Sequence, residues 1–247
     1  MEQNTKNLKP FNEYDSVWEY TKDRSQYHFN KWQADRPGET YRILGRFNVT
    51  WADDLEKIRA KSRPTTWKNI TLTGGANQPN LSTEKRERDI QQGGGHIDIE
   101  LTNVTDDFSE LPELQKIINY FCLDRTQARC HIQHTGQMFT MHIDPLHRTF
   151  AGPDALPDST YDYDPKDIVR VTVMLQDWEP GQFILYGNTV YQQWRAGDFH
   201  MHDWENTPHA TANASHHSRI TLQITGLRTA ETDRIIGPRQ FDPRSNI

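Results

Sequence analysis

A mainly β fold is predicted by three features of the sequence. From Ala128 onward, short segments of strand-like character follow one another closely: "ARCHIQH", "QMFTMHID", "IVRVTVMLQ", "GQFILYG", "TVYQQW", "GDFHMHDW", "HATAN" and "SRITLQITGL". Turn signals ("TG", "EPG", "YGN", "AGD") separate them, as strands joined by tight turns require. The mean hydropathy is low, at -0.89, yet 10 Phe, 9 Tyr and 7 Trp supply aromatic surface enough to fill a core. Eight such strands in about a hundred residues fit a double-stranded β-helix, the jelly-roll or cupin-type barrel.

The elements ahead of this core read as an α/β elaboration. Residues 1 to about 40 are polar and aromatic, with weak helical spacing among Tyr14, Trp18 and Tyr20. "TYRILGRFNV" alternates like a strand, and "WADDLEKIRAKS" reads as a short helix with acids early and bases late, matching the helix dipole. "TTWKNITLTGG" reads as a further strand. The polar stretch from Gly74 to Gly95 is a loop of a length that is usually functional or mobile. "HIDIELT" reads as a strand, and "SELPELQKIINYFCL" as an amphipathic helix with Ser109 placed to cap it. Within the core, residues 151–168 form a Pro/Asp/Tyr-rich insertion. The resulting organisation is an N-terminal elaboration over 1–127, a double-stranded β-helix core over 128–229 and a C-terminal tail over 230–247.

Charge and composition narrow the partners. The chain has 28 basic and 34 acidic residues, well interspersed, for a net charge of -6. No Lys/Arg block resembles a phosphate-backbone footprint, which argues against nucleic acid. Nothing approaches the roughly 18 apolar residues of a membrane span, and "MEQNTKNLKP" lacks the apolar stretch of a signal peptide. Two cysteines, Cys122 and Cys130, give neither a disulfide framework nor a zinc spacing, and both read as inert core positions. The expectation is a soluble protein of the cytoplasm.

Histidine is unevenly placed: of 11, nine lie between His131 and His217, a clustering that points to metal or proton chemistry. In "TMHID", His142 and Asp144 are two apart, so on a strand they share a face with Ile143 turned into the wall. A solvent-facing pair on an edge strand would show the same spacing. If the pair is half of a metal site, a third ligand must come from downstream, where His200, His202, His209, His216 and His217 are available. Arg219 discriminates among them. It follows His209 by ten residues, room for a strand, a turn through "NASHHS" and an antiparallel return that brings a guanidinium near the metal. An inward Arg219 needs an anionic partner, because a buried unpaired charge is very costly. His200 and His202 share a strand face but lack such an arginine, His216 and His217 fall in the turn, and His131 and His134 flank an earlier turn, His131 within reach of a pocket.

The order His-x-Asp, a long gap, then His with Arg ten further on resembles the iron(II)/2-oxoglutarate-dependent oxygenases. "HIQHTGQMFTMHID" is similar to the segment around the first ligand in prolyl 4-hydroxylases, with Gln133 where those proteins carry a tyrosine. "WRAGDFHMHDWENTPHATANASHHSRITLQITG" is similar to the second half of the aspartyl/asparaginyl and prolyl hydroxylase group. The likeness covers about residues 128–227 and is silent on the first 127. It implies iron(II) held by His142, Asp144 and His209 on one octahedral face. It implies 2-oxoglutarate as cosubstrate, its distal carboxylate on Arg219 with Thr221 beside it, and O2 as oxidant. Gln133 falls in the same pocket, and Arg170 is placed as a second basic contact to cosubstrate or substrate. An aspartate at 144 fills the position that related halogenases leave to halide, so hydroxylation is implied. The expected substrate is an amino acid, peptide or protein side chain, with the oligomeric state open. The competing class is a non-oxygenase cupin, a metal-dependent isomerase or sensing module, which has no need of Arg219.

Overall fold

The computed structural model describes residues 39–61, 101–105, 108–136, 138–144, 146 and 163–237. In chain order these form β1 (Tyr41–Arg46), α1 (Ala52–Lys61), β2 (Leu101–Thr105), α2 (Pro112–Tyr120), β3 (Asp124–Gln133) and β4 (Met138–His142). After a 3-10 turn at Pro165–Asp167 come β5 (Ile168–Met174), β6 (Gln182–Tyr186), β7 (Thr189–Tyr191), β8 (Asp198–His202), β9 (His209–Asn213), β10 (Arg219–Leu227) and α3 (Ala230–Ile236). All eight strands expected after Ala128 are present. The expected strand "TTWKNITLTGG", the loop from Gly74 to Gly95 and most of the 151–168 insertion lie outside the described residues. No helix among the described residues is long and apolar enough to cross a membrane.

The strands make two antiparallel sheets, one of six in the order β1-β8-β5-β10-β3-β2 and one of four in the order β4-β9-β6-β7. From β3 to β10 the chain changes sheet at every step except one, the β6–β7 hairpin. The hairpin turns on Gly187 and Asn188, with Gly187 at φ 62°, the left-handed value that a type II′ turn asks of its first central residue. Alternate crossing between two facing sheets is the double-stranded β-helix. Both ends of the larger sheet are closed by strands from the N-terminal elaboration, β1 and β2.

The main hydrophobic core lies between the six-stranded sheet and the helices. One face of β10 (Ile220, Leu222, Ile224) and of β5 (Val169, Val171, Val173) packs with Cys130, Ile132, Phe199 and Met201. Against them sit Trp51, Leu55 and Ile58 around α1, Leu114, Ile117 and Ile118 of α2, and Ile236 of α3. Strand alternation turns the other face of the same strands toward the second sheet. That inner face is polar, with Gln133, Thr172, His200, His202, Arg219, Thr221 and Thr225 all buried. Apolar clusters close it at either end of β5: Met174 with Ile184, Tyr186, Tyr191 and Trp194, and Ile168 with Leu146, Trp204 and Leu227. The barrel interior is thus a polar chamber between two apolar plugs.

Ser109 is not the cap of α2. The N-cap is Leu111, which offers no side-chain bond, and the work passes to Asp54 of α1. The buried Asp54 carboxylate accepts from the backbone N–H groups of Glu113 (2.9 Å) and Leu114 (3.0 Å) in the first turn of α2, where the helix dipole also favours an anion. Asp54→Ala is expected to destabilise the fold by about 2 kcal/mol, the cost of leaving buried N–H groups unpaired, as measured by urea unfolding. A loss below about 0.5 kcal/mol, the value of an ordinary surface change, would mean that α2 is capped some other way.

Candidate metal centre

The pairing of β4 with β9 sets His142 directly opposite His209, and their rings lie 4.2 Å apart between centroids. β4 ends at His142, so Asp144 is not on the strand and the alternation expected across "HID" does not hold. Ile143 is half-buried rather than packed inside the wall. Asp144 nevertheless faces both rings, Oδ1 lying 3.5 Å from His142 Nε2 and Oδ2 3.5 Å from His209 Nε2. The three donor atoms fall within 4.8 Å of one another.

What brings Asp144 there is Arg170. Its Nη1 donates to Asp144 Oδ2, and its Nε is fixed by Thr225 Oγ1 at 3.0 Å. Placed by resemblance on cosubstrate or substrate, Arg170 is instead engaged with a member of the triad. Burial alone would raise the Asp144 carboxyl, but the Arg170 charge, with His209 and His142, outweighs it and holds the group well below the usual carboxylate range. Burial pushes the His209 imidazole down to about 3, with His142 adding to the shift. An ionised carboxylate beside a neutral imidazole, with a second ring facing them, suits a divalent transition metal. These residues fit such an ion.

Arg219 begins β10, and β9 and β10 belong to different sheets. The return from His209 to Arg219 is therefore a crossing between sheets and not a paired hairpin. The arginine spans the gap, being only 3% exposed, with Nη2 donating to Thr211 Oγ1 (2.6 Å) and Nη1 to the Phe183 carbonyl (3.2 Å). Among the described residues its Nε has no partner and no carboxylate pairs with it. The guanidinium lies 5.8 Å from the Trp194 ring centroid. Burial lowers its pKa to about 10, so it stays charged at neutral pH.

Gln133 sits opposite Arg219 in the β3–β10 register. Its Oε1 accepts from Thr211 Oγ1 at 3.0 Å, which completes a chain from Arg219 through Thr211 to Gln133. Thr211 went unnoticed in the sequence, although it lies two residues beyond His209 on the same strand face. Thr221 is buried two residues beyond Arg219. Thus His142, Asp144, His209 and Arg170 converge at one place, and Arg219, Thr211 and Gln133 at another.

The remaining histidines sort clearly. His216 and His217 are exposed in the turn. His134 Nδ1 meets Ser218 Oγ at 2.8 Å. Both ring nitrogens of His131 are buried without a partner among the described residues, and burial, reinforced by Arg170, pushes it down to about 3. His200 Nε2 is hydrogen-bonded to Tyr186 Oη at 2.6 Å. His202 lies against His209 but is not one of the three converging donors. Cys130 is buried as expected, whereas Cys122 is exposed, because the helix has already ended and Cys122 turns outward at φ 50°.

No protein-family model matches the sequence, and no curated protein matches it. Several solved structures align with part of it. A cupin 2 conserved barrel domain protein from Salinispora arenicola is 9% identical, covering 44% of this chain and 69% of its own, with a TM-score of 0.27. An uncharacterized conserved protein with a double-stranded beta-helix domain from Klebsiella pneumoniae is 14% identical, covering 42% and 70%, with a TM-score of 0.28. A putative sugar phosphate isomerase from Acidithiobacillus ferrooxidans is 12% identical, covering 42% of this chain and 51% of its own, with a TM-score of 0.26. Likenesses this faint carry no argument about chemistry.

Proposed function

We propose that this chain is an iron(II)- and 2-oxoglutarate-dependent dioxygenase that hydroxylates a C–H bond of an amino acid, peptide or protein side chain, releasing succinate and CO2. The observation that supports it best is Arg219, a buried cation with no acidic partner among the described residues. It is tied through Thr211 to the strand that carries His209. Two strand residues span about 6.6 Å, a separation that a short dicarboxylate bridges with one end at the triad and the other on the guanidinium. A non-oxygenase cupin accounts for the triad and leaves Arg219 unpaired.

In this reading His142, Asp144 and His209 hold iron(II), which supplies oxygen activation when bound. Arg170 keeps Asp144 ionised and turned toward the two imidazoles. Arg219 binds the distal carboxylate, Thr221 lies beside it, and Gln133 orients the Thr211 hydroxyl by accepting a hydrogen bond from it. The aromatic cluster around Met174 excludes water from the arginine end.

Iron-loaded protein incubated in air with 2-oxoglutarate and ascorbate is expected to release succinate even without prime substrate, through slow uncoupled turnover. Metal-loaded protein that binds no 2-oxoglutarate and forms no succinate would favour the non-oxygenase cupin.

A further inference from the structure

We propose that His202 is a ligand-binding residue of this centre, hydrogen-bonding a carboxylate or keto oxygen of the molecule held on the metal's exchangeable positions. The proposal rests on the metal-centre reading and is independent of 2-oxoglutarate. His202 is the last residue of β8 and 3% exposed. Its ring packs 4.7 Å from His209 and 4.8 Å from Tyr186, centroid to centroid. Both of its ring nitrogens are buried and without a partner among the described residues.

Three roles are open to such a group. The first is packing, which a phenylalanine would perform without burying two unsatisfied polar atoms. The second is coordination, but His202 stands outside the group of donors that converge within 4.8 Å. The third is to meet a ligand. His200, on the same strand face, differs in having one ring nitrogen paired, Nε2 on Tyr186 Oη at 2.6 Å, its Nδ1 being without a partner among the described residues. The Tyr186 hydroxyl fixes His200, and its ring braces His202 beside His209 with both nitrogens free.

The register extends the case. Val171 pairs with Met201, so Arg170 and His202 are the next neighbours along the inner face. Arg170 engages Asp144, and His202 stands against His209, so both flank the triad from the six-stranded sheet. A molecule on the metal beside His209 meets the His202 edge. A neutral imidazole carries one N–H donor, which matches an oxygen acceptor such as a carboxylate.

The test uses the full chain loaded with cobalt(II), whose d–d absorption reports coordination, and oxalate as probe. Oxalate chelates through two carboxylates and has no remote end to reach Arg219. Cobalt affinity is expected to stay within about threefold of the parent in His202→Phe and His202→Gln. Oxalate affinity should fall about tenfold in His202→Phe, the value of one hydrogen bond to a charged group, and stay within about threefold in His202→Gln. His202→Leu replaces His202→Phe if the latter loses the parental thermal transition. Unchanged oxalate affinity in the apolar variant makes His202 a packing residue, lost cobalt affinity makes it a metal ligand, and a parent that binds cobalt but not oxalate has no exchangeable position to serve. Each overturns the proposal. A parent that binds oxalate but not 2-oxoglutarate leaves His202 standing and sinks only the oxygenase reading.

Discussion

His209→Ala is expected to lower affinity for iron(II) or cobalt(II) by more than about 100-fold, beyond the largest loss that follows removal of a mere outer partner of a ligand. Asp144→Ala should be worse. It removes the anionic donor and leaves the Arg170 guanidinium facing the dication without compensation. The same substitution should destabilise the metal-free protein by about 3 kcal/mol, since breaking a buried pair strands its partner. Both side chains are largely withdrawn from solvent, Arg170 at 13% and Asp144 at 15% exposed. The double variant Asp144→Ala/Arg170→Met should recover most of that stability while staying unable to bind metal. Anaerobic calorimetry and thermal unfolding read the two effects separately. Metal affinity retained in both single variants would remove the triad from consideration.

Arg219→Met should sharply weaken 2-oxoglutarate binding and leave metal binding intact. Truncating a buried hydrogen-bonded charge pair costs about 2–5 kcal/mol, so affinity falls by between about 30-fold and several thousand-fold. Arg219→Lys should rescue little, because an ammonium cannot offer two parallel N–H groups to a carboxylate. Stability runs the other way. Without ligand the guanidinium is a buried cation satisfied only by neutral oxygens, and apolar replacement of such groups is often neutral or stabilising. The ligand-free variant should therefore unfold no earlier than the parent. An Arg219→Met protein that binds 2-oxoglutarate normally would separate this arginine from any cosubstrate.

The strands were legible because each carries its own period and its own turn. Which sheet a strand joins was not, and this is why the return from His209 to Arg219 reads locally as a hairpin while the chain crosses between sheets. β10 shows the difficulty from the inside. Of Arg219 to Leu227 only Gln223 is other than buried, so alternation separates two faces without saying which meets the helices and which lines the chamber. The grouping of His142, Asp144 and His209 was legible through the likeness of their order to the iron(II)/2-oxoglutarate-dependent oxygenases, since the spacing by itself also suits a solvent-facing pair. The residues that hold it depend on distant pairing: Arg170 reaches Asp144 across 26 residues, and Thr211 meets Gln133 across 78. The Asp54 cap of α2 acts across 59 residues, beyond any local rule that would choose Ser109.

The central claim is that a metal on His142, Asp144 and His209 and a dicarboxylate on Arg219 share one chamber. Anaerobic titration of the iron(II)-loaded protein with 2-oxoglutarate tests it most directly, because chelation of an α-keto acid to iron(II) gives a visible charge-transfer absorption that neither component shows alone. The account predicts a saturable band in the parent that requires far higher 2-oxoglutarate in Arg219→Met, and no band in His209→Ala. Iron demonstrably bound, with no band at saturating 2-oxoglutarate, would contradict it.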